Sequence, residues 1–178
     1  MPEFRGYEND PTTVLTDEEA EFLRFAARDG PGKGSILEIG TYKGKSTVNL
    51  ALGSKEVGRE KVFSIDSETF IETELNFKAF NVLDWIIPIK GLSWEVANDW
   101  DMPIRLLYID GDHRKSRVDY NNFSKFLVED AIVIFHDITD ARVRKTISTL
   151  INDESLRKVG SKDWWNMGWF FKGSEISE

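Results

Sequence analysis

The sequence predicts an α/β fold: a doubly wound, mostly parallel sheet with helices on both faces and a C-terminal antiparallel hairpin. Three observations carry this. Short, nearly continuous apolar runs (Ile36–Ile39, Leu106–Ile109, Ala131–Phe135) alternate with stretches of helical apolar spacing, and strands apolar on both faces belong to a parallel sheet covered by helices. Each run gives way to Gly, Asp or His, residue types suited to leaving a strand for a loop. The tail, Leu156–Lys172, is rich in aromatic residues around Asn166-Met167-Gly168 and reads as a final hairpin.

Each element follows from a local signal. Thr16 with Glu19 three positions on is a capping box, opening a helix through Phe22, Leu23 and Phe25 that stops at Asp29-Gly30-Pro31-Gly32. Residues 1–34 are thus an N-terminal helical segment and residues 35–178 the core, within one domain spanning 1–178. Ser35–Ile39 is a strand and Lys45–Leu52 a helix. Lys61–Asp66 is the second strand and Thr69–Phe80 the second core helix. Trp85–Lys90 is a strand whose Pro88 assigns it to an edge or a bulge. Ser93–Asp99 is a short helix. Arg105–Asp110 and Ala131–Phe135 are buried strands, and Val118, Tyr120, Phe123, Phe126 and Leu127 mark a helix between them. Asp140–Leu150 is the last helix.

Composition narrows the function. With 40% apolar residues the chain is globular, and without cysteine it has no disulfide, zinc–thiolate site or cysteine nucleophile. No apolar run approaches the roughly 20 residues that span a bilayer. The N-terminus lacks the charged-then-apolar pattern of a secretory signal, so a cytoplasmic location is expected. A net charge of −8 argues against nucleic acid as a partner, and the basic cluster Arg142, Arg144 and Lys145 reads as a solvated helix face. Small molecules are the expected partners.

The chemistry gathers at the strand ends, where open parallel sheets bind ligands. Glu38-Ile39-Gly40-Thr41-Tyr42-Lys43-Gly44-Lys45-Ser46-Thr47 joins the first strand to a helix. Its glycines permit a tight turn, and the helix offers free N–H groups to a carboxylate. The dinucleotide pattern G-x-G-x-x-G is absent. The phosphate-loop pattern G-x-x-x-x-G-K-[ST] is one residue short, yet with Leu106–Asp110 resembling a magnesium-binding strand it keeps a nucleotide triphosphatase open. Asp66 ends the second strand 26 positions after Gly40. It can accept hydrogen bonds from ribose hydroxyls, or cap the next helix. Glu38, costly to bury unpaired, is satisfied if it reaches a ligand ammonium. Both histidines of the chain, His113 in Asp110-Gly111-Asp112-His113 and His136 before Asp137, follow core strands. Asp110, His136 and Asp137 suit a divalent cation, or cap the sheet through hydrogen bonds.

Together, L-E-I-G-T-Y-x-G-x-S-T, the I-D of the second strand, Y-I-D-G-D-H and I-F-H-D closely resemble the class I S-adenosylmethionine-dependent methyltransferases. The likeness is to the small bacterial O-methyltransferases near the macrocin- and cephalosporin-pathway enzymes, and it runs from Ile36 to Ile138. It implies a Rossmann-like fold, S-adenosylmethionine as cofactor and O-methylation of a small-molecule or sugar hydroxyl. By resemblance, Glu38, Gly40, Thr41, Tyr42, Gly44, Ser46 and Thr47 hold the methionine part, Asp66 and Ser67 the ribose, and Leu92 and Ser93 the adenine, with Asp110 touching cofactor and acceptor alike. In metal-dependent members, positions equivalent to Asp110, His136 and Asp137 hold magnesium. The catechol enzymes have Asp-Asn where this chain has His136-Asp137, which leaves manganese or iron as alternatives. They carry a lysine base where this chain has His113, so His113 with Asp110 is the expected catalytic pair. No inserted lid covers the acceptor, so the N-terminal segment, the Trp164-Trp165 and Trp169 region, or a second subunit in a homo-oligomer completes that pocket. A catalytically silent cofactor-binding module is the remaining alternative.

Overall fold

The computed structural model describes residues 2–7, 15–161 and 165–173. Helix α1 (Asp17–Asp29) precedes the alternating core: β1 (Ser35–Ile39), α2 (Lys45–Glu56), β2 (Val62–Asp66), α3 (Ile71–Ala79), β3 (Ile86–Lys90), α4 (Ser93–Val96), β4 (Ile104–Ile109), α5 (Ser116–Ser124), β5 (Leu127–His136) and α6 (Ala141–Asn152). Strands β6 (Leu156–Ser161) and β7 (Met167–Lys172) close the sheet. The strand order is β3-β2-β1-β4-β5-β7-β6. Five strands are parallel, and β7 inserts antiparallel between β5 and β6. The order reverses between β1 and β4, where a doubly wound sheet opens a crevice at its carboxyl edge.

Local chemistry explains the elements that frame this crevice. The capping box forms as expected: Thr16 Oγ1 accepts from the Glu19 N–H at 3.2 Å, and the Glu19 carboxylate accepts from the Thr16 N–H at 2.9 Å. Pro88 sits on β3, which pairs only with β2, so its missing N–H faces the open edge. Arg105 is fully buried in β4. Its guanidinium donates to the carbonyls of Ala26 and Ala27 at the end of α1 and pairs with Glu60, so the buried charge also caps a helix C-terminus. Two apolar layers, one on each face, enclose the sheet.

Some boundaries differ from the sequence expectation. Leu127 opens β5 opposite Ile104 instead of ending a helix. It keeps helical spacing with Phe123 because both are buried in the same apolar layer. The exposed pair Glu129-Asp130 hid the ten-residue length of β5. Met167 and Gly168 belong to strand β7 and not to the turn of the hairpin. Trp164 falls outside the described residues. Helices α3 and α4 are shorter than expected: Phe70 and Phe80 flank α3 outside helical geometry, and α4, which starts at Ser93 as expected, ends at Val96. No helix among the described residues is long and apolar enough to cross a membrane.

Candidate active site

A cleft of about 700 Å³ opens above the carboxyl ends of β1, β2 and β4. Its floor is the exit of β1. Gly40 has φ +98°, and a Cβ there would lie 2.3 Å from the carbonyl oxygen of Asp110. Only glycine lets the two strand exits pass so closely. Asp66 Oδ2 accepts the N–H groups of Thr41 and Tyr42 at 2.9 and 2.8 Å, and Oδ1 accepts that of Glu68 at 2.9 Å. One carboxylate thus pins the glycine loop and turns the chain beyond β2, leaving acceptor capacity on both oxygens.

Of the residues expected to hold cofactor, Gly40, Thr41, Tyr42, Ser46, Asp66, Ser67, Leu92, Ser93 and Asp110 line the cleft. Glu38, Gly44 and Thr47 stand behind its wall. Gly44 backs onto Phe77, whose ring would be 2.6 Å from an added Cβ. Glu38 is fully buried and accepts from the hydroxyls of Thr47 and Ser64, the latter at 2.5 Å. Both bonds fall on Oε2, and the buried Oε1 has no hydrogen-bond partner among the described residues. Burial pushes its carboxyl up to about 7, against the opposing pull of its hydroxyl partners.

Tyr7, Trp94 and Asp119 are among the lining residues that the sequence did not single out. Tyr7 lines the cleft and its hydroxyl oxygen accepts the Lys45 N–H at 3.1 Å, and no motif announces it. Trp94 flanks Leu92 and Ser93. Asp119 lies on the buried face of α5 with Ser116, Tyr120 and Phe123. It accepts from Ser93 Oγ, and burial raises its carboxyl to about 6. An acidic residue in the apolar register of a helix was the legible signal for it.

The other end of the cleft holds His113, His136, Asp110 and Asp137. Asp110 accepts from Tyr108 OH at 3.0 Å. The His136 Nδ1 stands 3.3 Å from Asp110 Oδ1 and 3.5 Å from Asp137 Oδ1. Asp137 has φ 54°, a left-handed conformation that costs on the order of 1–3 kcal/mol for a residue with a side chain. Asn166 and His113 hold it there: Asn166 Nδ2 donates to Oδ1, and His113 Nε2 lies 2.7 Å from Oδ2. Behind His136, Glu19 Oε2 is 3.7 Å from Nε2 while Glu19 Oε1 accepts the Asn166 N–H at 2.8 Å. Burial opposes the imidazolium, but Asp110, Asp137 and Glu19 outweigh it and push His136 up to about 12. Burial opposes the Glu19 carboxylate in turn, but His136 and Thr16 hold it down at about 2.

Donor atoms of Asp110, His136 and Asp137 all lie within 4.8 Å of one another. Two carboxylate oxygens and an imidazole nitrogen are a donor set for a hard or borderline divalent ion. The buried His136 Nε2 has no hydrogen bond, only Glu19 facing it, and a carboxylate behind the far ring nitrogen is the usual support of a ligating histidine. The residues fit a cation.

Lys45 does not behave as a phosphate-loop lysine. Its Nζ donates to the Leu15 carbonyl at 2.7 Å and to Asp17 at 3.1 Å, away from the backbone of its own loop. Strand order, glycine loop and the carboxylate ending β2 instead define a Rossmann-like methyltransferase. Residues 37–138 match the methyltransferase domain family, more than half of the chain. The chain belongs to that family and is an S-adenosylmethionine-dependent methyltransferase. The match displaces the nucleotide triphosphatase alternative.

Solved structures share the fold. The methyltransferase PaMTH1 of Podospora anserina, bound to S-adenosylhomocysteine, aligns at TM-score 0.78 and 15% identity over 91% of this chain and 81% of that one. The O-methyltransferase TomG of Streptomyces achromogenes, involved in tomaymycin synthesis and complexed with S-adenosylmethionine, gives 0.74 and 18% over 92% and 83%. The Bacillus cereus O-methyltransferase with S-adenosylhomocysteine gives 0.71 and 16% over 91% and 84%.

Proposed function

We propose that this methyltransferase, acting as one domain over residues 1–178 in the cytoplasm, methylates a hydroxyl oxygen of a small-molecule or sugar acceptor, with a divalent cation held by Asp110, His136 and Asp137. One observation carries the reading: the glycine loop pinned by Asp66 and the Asp–His–Asp cluster share one cleft, with Asp110 at their junction. The solved neighbours with cofactor bound, two of them O-methyltransferases, support it.

In this reading the Thr41–Ser46 loop holds the methionine part of the cofactor, Asp66 and Ser67 its ribose, and Leu92, Ser93 and Trp94 its adenine. Glu38, Gly44 and Thr47 act from behind by fixing the loop. The sulfonium is already activated, so the protein's work is alignment of an in-line displacement. The acceptor oxygen bonds to the methyl carbon as the carbon–sulfur bond breaks, and the hydroxyl proton passes to the His113–Asp137 pair, joined at 2.7 Å. Asp137 and Asp140, at 2.7 and 3.4 Å from the two ring nitrogens of His113, orient that imidazole. Magnesium, manganese or iron at the cluster would lower the pKa of a hydroxyl bound to it.

The test is methyl transfer from isotopically labelled S-adenosylmethionine to a panel of catechols and sugars, read by mass spectrometry. Label on oxygen is expected. Label on nitrogen or carbon, or ATP hydrolysis in place of transfer, would refute the reading. Manganese binding followed by electron paramagnetic resonance tests the cation separately: His136→Ala should abolish it while S-adenosylhomocysteine still binds.

A further inference from the structure

A second recess of about 360 Å³ adjoins the cleft, and His113 lines both. One wall carries Arg114 from the turn before α5 and Arg117 from α5. The other carries Arg142, Lys145 and Thr149 on α6, spaced as one helical stripe. The Ser116 and Thr146 hydroxyls bridge the two helices at 3.0 Å. Among the described residues, four cationic side chains and no carboxylate line this recess, in a chain of net charge −8. Asp112, Asp140 and Asp153 offset three of these charges from outside the recess, and the cationic faces turned into the groove favour an anion between them.

The arginines are also held in place. Asp112 forks onto Arg114 and Asp140 onto Arg142, each with contacts between 2.7 and 3.1 Å. Arg117 is only loosely paired, 3.9 Å from Asp153. Lys145 has no ion-pair partner among the described residues. Guanidinium forks match oxyanions in two-point geometry, and lysine adds a mobile point charge.

We propose that this recess binds a phosphate group carried by the methyl acceptor itself, so that the substrate is a phosphorylated hydroxyl compound. The placing of the hydroxyl rests on the methyl-transfer reading above; the phosphate site stands on the groove. The geometry limits the substrate's size. His113 Nε2 meets Asp137 at 2.7 Å, while its Nδ1 lies 3.5 Å from the Arg142 guanidinium. One imidazole ring therefore separates the reacting end from the cationic groove, and a short skeleton must join phosphate to hydroxyl.

The test is an NMR titration of the full chain with phenyl phosphate, repeated with benzoate and phenol. Phenyl phosphate should give saturable shifts at the amides of Arg114, Arg117, Lys145 and Thr149. Binding should weaken roughly tenfold or more in the doubly reversed variant Arg117→Glu/Lys145→Glu, as expected on losing charge-assisted bonds. Benzoate, with one charge, should bind more weakly, and phenol should leave these amides unmoved. Should the double variant fail to fold, Arg117→Gln and Lys145→Gln, made singly, should each weaken binding. Shifts confined to other regions, unchanged affinity in the variants, or benzoate binding as tightly as phenyl phosphate would overturn the proposal. The methyltransferase reading fails by a different signal: S-adenosylhomocysteine would then move no amide between Gly40 and Ser46, whatever phenyl phosphate does.

Discussion

At one end of the cleft the chain uses ten consecutive residues, Glu38–Thr47, and one carboxylate from the neighbouring strand, Asp66. At the other it draws Glu19 from α1, Asp110 and His113 from the exit of β4, His136-Asp137 from β5 and Asn166 from the hairpin. The first end is contiguous in sequence, pinned by the Asp66 carboxylate and by bonds from Thr73 and Asn76 of α3 to its carbonyls. The second is held by side chains reaching across four segments. A local site depends on its own loop, whereas an assembled one depends on everything that sets its parts in place.

Substitutions at the two ends should separate accordingly. The largest effect is expected at Gly40, where the two ends touch. In Gly40→Ala the new Cβ would collide with the Asp110 backbone, costing about 2–4 kcal/mol of stability in a thermal melt. Cofactor and manganese binding should both suffer. Survival of either would show that the ends are less joined than Asp110 suggests.

Asp66→Ala should cost about 1.5–3 kcal/mol of S-adenosylhomocysteine affinity by calorimetry, with manganese affinity unchanged. Unaltered cofactor affinity with a lowered melting temperature would leave Asp66 as a loop pin only. Glu19→Ala tests the assembled end. It removes the capping box, worth about 1 kcal/mol, and the carboxylate behind His136, so manganese affinity should fall roughly tenfold while the cofactor binds as before. If manganese affinity holds, α1 is scaffold and not part of the site.

Glu38→Gln probes the wall behind the loop. Burial keeps the carboxyl protonated up to about pH 7, against 4.5 as its ordinary value. Its folded pKa is raised, so stability is greatest below the ordinary value and falls as pH climbs toward 7. The variant has no such loss. Relative to it, wild type should lose about 1–3 kcal/mol between roughly pH 5 and 8; parallel melting curves across that range would contradict the burial argument. The smallest effect belongs to Lys45→Ala. Its ammonium serves Leu15 and the exposed Asp17, so cofactor affinity should change by less than about 1 kcal/mol.

Legibility in the sequence follows the same division. The strand–loop–helix at Gly40, the carboxylate ending β2 and the edge strand with Pro88 could each be read from a few adjacent residues. So could Asp110, His136 and Asp137, because strand ends of a parallel sheet converge by topology alone. Glu19 read only as half of a capping box, although one oxygen faces His136 and the other holds Asn166. Tyr7 likewise depends on how the N-terminal segment folds back over Lys45. Such contacts arise in tertiary packing, and no local pattern encodes them. The cationic recess fell between these cases: Arg142 and Lys145 stood out as a basic helix face, but Arg114 and Arg117 on the opposing wall come from α5 and the turn before it.

The central claim is that one cleft holds two separable binding ends, cofactor at the glycine loop and cation at the Asp–His–Asp cluster. Calorimetric titration of S-adenosylhomocysteine into the protein, in chelator and again with manganese, tests it most directly. The prediction is binding in both, with affinities differing by less than about 1 kcal/mol, the floor of typical coupling between linked sites. No binding in either, or binding that vanishes in chelator, would contradict it.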